Sequence, residues 1–215
     1  VNDFKQAALN AFEAGFDGVE IHSANGYLLQ QFLHKNSNHR TDEYGGSIEN
    51  RARIIFEILD ELKTVVDLSR VGIRFNPALH GMMGIEVDDE TTDLYNYVIN
   101  RLNDYPLAYI HLTEPFTDVS KVDLAIKEVA KHFRKFYKGT IITNVRYTKE
   151  TANQVISSGD ADLVAFGTLY IANPDLVERF KVDAPLNTPD KDTFYTPGEK
   201  GYTDYPKMNE YSKSI

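Results

Sequence analysis

GVEIHSA at residues 18–24, SIENRARIIFEILDELKTVV at 47–66 and VGIRFNP at 71–77 decide the fold class between them. The first and third are short, apolar at alternate positions and finish in polar residues, as strands do. The middle stretch sets Ile48, Ile54, Ile55, Ile58, Leu59 and Leu62 at helical spacing, over a length few strands reach. A strand, a long helix and a second strand predict parallel pairing through a crossover helix.

The same alternation continues outward on both sides. Residues 3–14 (DFKQAALNAFEA) read as a helix, with Gly15 as its stop signal. Further helices are expected over 89–102, about 122–137, and 148–157 with Thr148 as N-cap, and from PDLVERF with Pro174 near its first turn. LAYIHLTEP (107–115), GTIITNV (139–145) and ADLVAFG (161–167) supply three more strands, and from about Val182 the chain reads as an ordered tail or loop. Polar residues sit at the strands' carboxyl ends (His22, Arg74, Glu114, Asn144), where βα-barrel enzymes place their chemistry. The expected fold class is α/β, of the (β/α)8 TIM-barrel type. About five of the eight βα units lie in residues 1–215, and the other three are expected before Val1. A five-stranded open sheet is the structural alternative, although no strand here reads as a blunted edge.

Composition narrows the function classes. The hydrophobic fraction of 42% suffices for a core, and a formal net charge of -9 argues against non-specific binding to nucleic acid or an anionic membrane. An anionic cofactor stays open, because a phosphate site is built locally from backbone N–H groups and one or two cations. The chain has no cysteine, which removes disulfides and thiolate metal sites. Its six histidines are scattered, with no H-x-x-x-H and no carboxylate cluster at strand ends, so no metal site is expected. No apolar run approaches a membrane span and no targeting pattern opens the chain, so a cytoplasmic location is expected. The glycines form no G-x-G-x-x-G, and a separate dinucleotide-binding domain is not expected.

The candidate chemistry lies in VEIHSANGYLLQQFL at 19–33, with His22, Asn25 and Tyr27 just past a strand end. A neutral imidazole and an amide can donate hydrogen bonds to one carbonyl oxygen, which makes the β-carbon of an enone electrophilic. A phenol, with an ordinary pKa near about 10, is protonated at neutral pH and can supply a proton. The same residue types also serve as a turn-capping histidine and a core aromatic, and the triplet alone leaves both readings open.

HRTDEYGGSIENRARIIFEILDEL follows at 39–62, carrying Arg40, Asp42, Tyr44, Gly45, Gly46, Glu49, Asn50 and Arg51 in order. Together the two stretches resemble the Old Yellow Enzyme family, whose pattern runs H-x-x-[NH]-G-Y-L-x-x-Q-F-L and then N-x-R-x-D-x-Y-G-G-S-x-E-N-R. The likeness extends through VGIRFNP, YIHLTEP, ADLVAFGTLYIANPDLVERF and DTFYTPGEKGYTDYP, essentially the whole chain. It implies the carboxy-terminal part of a single FMN-binding barrel domain over 1–215, with the tail at 182–215 contributing to the active-site cavity. It implies an FMN-dependent oxidoreductase that reduces the C=C bond of an α,β-unsaturated carbonyl, an enone partner, with NAD(P)H. By this resemblance His22 and Asn25 hold the substrate carbonyl, Tyr27 is the catalytic proton donor, Tyr195 lines the substrate cavity, and Arg74 stands beside the flavin pyrimidine edge. Gly45, Gly46 and the surrounding charges look structural, a tight turn into a helix pinned by ion pairs.

The phosphate end departs from the family pattern. Where the family carries a glycine pair after the seventh strand, this chain reads Asn144-Val145-Arg146-Tyr147; where it has glycine then arginine after the eighth, this chain has Gly167-Thr168. Val145, Arg146, Gly167 and Thr168 are therefore the candidate phosphate-binding positions, with Arg146 standing in for the cation missing at 168 or, alternatively, the loop having drifted in a chain that no longer binds FMN well. A β-branched residue at 145 is expected to hinder close approach of its N–H. The missing first half leaves the alternative of a catalytically silent barrel fragment that needs a partner chain, or self-association, to be completed.

Overall fold

The computed structural model describes residues 1–208. Five parallel strands, β1 (Val19–Ser23), β2 (Val71–Phe75), β3 (Tyr109–Thr113), β4 (Ile141–Asn144) and β5 (Leu163–Ala165), lie in the order β1-β2-β3-β4-β5. Each strand pairs with the one before it in sequence. That singly wound order is the one a βα-barrel uses, and all five strands stand where the alternation placed them.

One face of the sheet packs under helices. Ile21, Val71, Ile73, Phe75, Ile110, Leu112 and Ile141 are buried there against α1 (Asn2–Glu13), α3 (Ile48–Leu62), α4 (Thr91–Arg101) and α5 (Val129–Phe133). Helix α3 buries Ile55, Ile58, Leu59 and Leu62, four of the six residues in its expected stripe. Its Ser47 N-cap accepts from the Asn50 N–H at 3.3 Å. The other face carries Glu20, His22, Arg74, Tyr109, His111, Thr113 and Asn144, the alternate positions of the same strands. Leu163 on β5 is 52% exposed. In a closed barrel such a face is the interior.

Several helix boundaries differ from expectation. The helix expected over 122–137 forms only as α5, at 129–133. Val119, Val122 and Ala125 instead recur every three residues in turns, with Val122 N–H to Val119 O and Ala125 N–H to Val122 O both at 3.0 Å, and pack on Val87 as a small separate cluster. The Glu114 carboxylate then starts α5 by accepting from the N–H groups of Val129 and Ala130 at 2.8 and 2.9 Å. Burial pushes this carboxyl above its ordinary range. Thr148 caps α6 (Lys149–Ser157) in a reciprocal box with Thr151. Two short helices not expected, α2 (Leu28–Leu33) and α7 (Thr168–Ala172), follow β1 and β5. Pro174 lies outside α8 (Leu176–Lys181), whose N-cap is Asp175. Residues 209–215, the end of the expected tail, lie outside the described residues. Among the described residues no helix is long and apolar enough to cross a membrane.

Candidate active site

His22 stands near the carboxyl end of β1, and the loop from β1 into α2 carries Asn25 and Tyr27, its backbone held from behind. Asn25 turns the chain in the left-handed region at φ 58°, a conformation that asparagine tolerates better than most residues. Gly26 follows, where an added Cβ would meet the Met83 Cβ at 2.2 Å. Gln30, fully buried on α2, accepts from the Gly26 N–H at 2.8 Å through Oε1 and donates to the Asn76 carbonyl at 2.7 Å through Nε2. Gln31 donates to the Gly26 carbonyl at 2.6 Å.

A short relay fixes Gln30 in turn. Its Nε2 donates to the Tyr95 hydroxyl at 3.1 Å, which stands 3.1 Å from His34 Nε2, while His34 Nδ1 stands 3.3 Å from the Glu86 carbonyl. Every group is satisfied when His34 is neutral, with Nδ1 donating and Nε2 accepting. Burial pushes the His34 pKa down to about 4. The unfolded chain, with an ordinary value of 6.5, therefore binds this proton first as pH falls. Stability should decline as pH falls from 6.5 to about 4 and the His34 contribution should level off below that. The loss reaches roughly 3 kcal/mol at about 1.4 kcal/mol per pKa unit. Urea melts across that window check it: His34→Gln should flatten the decline relative to the parent, and an unchanged slope would remove His34 as its source. Glu114, raised by burial, works in the opposite sense above its ordinary 4.5, so the comparison with the variant isolates His34.

On the site side, the His22 and Tyr27 rings lie 5.3 Å apart between centroids, tilted by 47°. Burial, then the nearby Arg74 charge, lowers the His22 pKa, with Glu20 opposing, so the imidazole is neutral at pH 7. Asn25 accepts from Asn76 Nδ2 at 3.1 Å through its Oδ1. Tyr27 is exposed and its hydroxyl has no hydrogen-bond partner among the described residues. Arg74 is the register partner of His22 on the next strand. It forms no ion pair among the described residues, and its Nε donates to Thr113 Oγ1 at 3.3 Å. Burial lowers the Arg74 pKa, with Glu20 opposing, as for a cation set in a partly closed space without a contacting anion. Glu20 itself pairs with His111 at 2.9 Å.

The second group of candidates also comes together. A cavity of about 570 Å³ opens between the loops after β4 and β5, lined by Val145, Arg146, Gly167 and Thr168 with Phe116 and Asn144. Arg146 Nη2 donates to the Phe116 carbonyl at 3.0 Å, and Arg146 forms no ion pair among the described residues. Val145 and Arg146 take φ 86° and 58°, both left-handed. The valine thus adopts the conformation for which glycine is suited, at a cost of roughly 1–3 kcal/mol, rather than preventing it. Nothing lies within 4 Å of a Cβ built on Gly167. Among the described residues the Asn144 Oδ1 and His111 Nε2 atoms are buried without a partner.

Tyr195 is not brought to either group. It stands 97% exposed, at φ 63° in the segment after Thr193, packing on no other candidate side chain. Glu114 is spent on capping α5. Sequence reasoning missed Asn76, Gln30 and Gln31; the available signals were a polar residue directly after a strand and before Pro77, and an amide pair inside the apolar LLQQFL.

The residue types at the two places suit the two ends of FMN. A phosphate would find a left-handed turn of backbone and one cation at Arg146, and an isoalloxazine edge would find Arg74. Residues 1–187 match the NADH:flavin oxidoreductase / NADH oxidase family. The chain is 47% identical over 212 residues to 12-oxophytodienoate reductase 1 of Oryza sativa subsp. japonica, covering 98% of this chain and 55% of that one. It is 45% identical over 210 residues to a Leishmania infantum protein named "probable flavin mononucleotide-dependent alkene reductase", covering 97% and 55%. The solved structure of morphinone reductase superposes with a TM-score of 0.88 at 43% identity, over 98% of this chain and 55% of that one. The chain thus spans about half the length of the curated relatives it matches. With a match across 187 residues, singly wound parallel strands and polar groups at the strands' carboxyl ends, this chain belongs to the NADH:flavin oxidoreductase / NADH oxidase family, the family of Old Yellow Enzyme.

Proposed function

We propose that residues 1–215 form the carboxy-terminal part of an FMN-dependent barrel enzyme that reduces the C=C bond of α,β-unsaturated carbonyl compounds with NAD(P)H. The observation that carries this reading is two uncommitted donors three residues apart, one near the end of β1 and one in the loop that follows. His22 is neutral and free of hydrogen-bond partners among the described residues, and Asn25 has its oxygen engaged by Asn76, so both are free to donate to one oxygen.

FMN, when bound, supplies the two-electron reduction and is recharged by NAD(P)H in the same cavity. The chain's own residues do the rest. His22 and Asn25 hold the substrate carbonyl and withdraw electron density from the conjugated double bond. The Tyr27 hydroxyl donates the proton to the α-carbon. Arg74 would hold the pyrimidine edge of bound FMN, where a fixed cation would stabilise developing negative charge. The main chain at Val145 and Gly167, the Thr168 hydroxyl and the Arg146 guanidinium bind the phosphate. Tyr195, which stands exposed here, would border the cavity only once the missing units complete the barrel beside it. The first three βα units close the barrel, from sequence preceding Val1 or from a partner chain. The exposed Leu163 and the polar inner face support the need for that completion.

The visible absorbance spectrum tests the reading. The protein with its barrel complete should retain FMN after desalting and develop a long-wavelength band on addition of phenol. A colourless protein after FMN loading and desalting would overturn it. The same measurement on residues 1–215 alone tells whether these five units suffice.

A further inference from the structure

From the contact behind Asn25 we infer that Asn76 is a positioning residue: it sets which end of the Asn25 amide faces the ligand, and so makes the loop select an oxygen acceptor. This rests on the reading that Asn25 binds the substrate oxygen. A primary amide is ambivalent, because its oxygen accepts and its nitrogen donates, and a half-turn exchanges the two. An asparagine free to turn would meet a carbonyl with the wrong end part of the time. Asn25 is not free to turn, since its Oδ1 is taken by the Nδ2 of Asn76 at 3.1 Å.

Asn76 is placed to impose that choice. It is fully buried, directly after β2 and before Pro77, and its main-chain oxygen is held by Gln30 at 2.7 Å. Gln30 in turn holds the Gly26 N–H at 2.8 Å, one residue past Asn25. One side chain therefore ties the backbones of both partners, and the distance between their amides follows. The contact runs one way: Asn76 Nδ2 donates and Asn25 Oδ1 accepts, which leaves Asn76 Oδ1 without a partner. Reversing both amides would pair that oxygen but leave the buried Nδ2 with neither hydrogen bonded. Asn25 Nδ2 has no protein partner among the described residues, and is the donor left for a ligand. Asn76 touches neither substrate nor cofactor in this scheme. It acts only through Asn25.

The experiment uses the barrel-complete, FMN-loaded protein, with phenol as the titrated ligand and cyclohex-2-enone as substrate. Asn76→Asp keeps the shape but replaces the donor with an acceptor, so Asn25 should turn its oxygen outward. The phenol-induced band should then need about tenfold more phenol, with KM for the enone raised more than kcat is lowered. Asn76→Leu, nearly the same volume and with no buried orphan oxygen, should give an intermediate loss of about threefold. In an Asn25→Ala background neither substitution should add a further loss. Wild-type phenol affinity in Asn76→Asp, beside a loss in Asn25→Ala, overturns the positioning role and leaves the proposed function standing. Wild-type affinity in Asn25→Ala overturns the assignment of Asn25 itself, and this inference with it. If the aspartate variant does not fold or load FMN, Asn76→Leu decides by the same comparison.

Discussion

Tyr27→Phe in the barrel-complete protein should lower turnover of an α,β-unsaturated ketone by about 10²- to 10⁴-fold, the usual contribution of a positioned general acid. The fold should hardly register the change. Tyr27 is 55% exposed and its hydroxyl holds no partner among the described residues, so removing one oxygen there should alter stability by no more than about 0.5 kcal/mol. The ring stays 5.3 Å from that of His22 whether or not it carries the hydroxyl, so carbonyl binding should survive. Stopped-flow measurement should find flavin reduction by NAD(P)H unchanged and the enone half-reaction slowed. Full turnover in the variant would show that the proton comes from elsewhere, and would reduce Tyr27 to a wall of the cavity.

Arg51→Met should destabilise the chain by about 3 kcal/mol, the low end of what breaking a buried charged pair costs. Arg51 is 3% exposed along its side chain and serves three acceptors. It donates to the Leu33 carbonyl at 2.8 Å, to the Gly46 carbonyl at 2.6 Å and to Glu90 at 2.7 Å. Glu90 is substantially exposed and can rehydrate, which is why the low end applies. The two carbonyls keep the larger cost, about 1–3 kcal/mol for each acceptor left without its charged donor. These acceptors belong to the end of α2, the turn into α3 and the N-cap of α4, so one guanidinium joins three helices. The turn is itself tight, since a Cβ on Gly45 would lie 2.0 Å from the Arg40 carbonyl. A urea midpoint lowered at constant m-value is the expected result; an unchanged midpoint would show that water replaces the guanidinium at no cost.

How much of this was legible depends on whether the signal was local. The five strands were, because alternation over five residues and a polar carboxyl end are properties of a short window. Gly45, Gly46 and Arg51 were read as a structural turn, and the hydrogen bonds of Arg51 agree. Residues 122–128 misled, because a spacing of three fits both a helix and successive turns. What separates the two is the distant Glu114 carboxylate, which begins α5 at Val129. Helix α2 was hidden because its six residues are too few to show a period. At the site, Asn25 and Tyr27 stand just past a strand end as the sequence suggested while His22 lies within that strand, and 145, 146, 167 and 168 line one cavity. Asn76 could be noticed as a polar residue between a strand and Pro77, but its contact with Asn25 spans 51 residues and shows in no pattern along the chain. Tyr195 is the opposite case, a residue assigned by resemblance that the described structure leaves in the open.

The clasp of Gln30 and Gln31 grips Gly26 by its N–H and its carbonyl, and neither bond involves the side chains at 27, 28 or 83. Those three, Tyr27, Leu28 and Met83, all point into open space and contribute little to the core. Descent can therefore rewrite these positions without disturbing the clasp beneath them. Change at these surface positions is cheap in stability, whereas change at Gln30 or Gly26 is not.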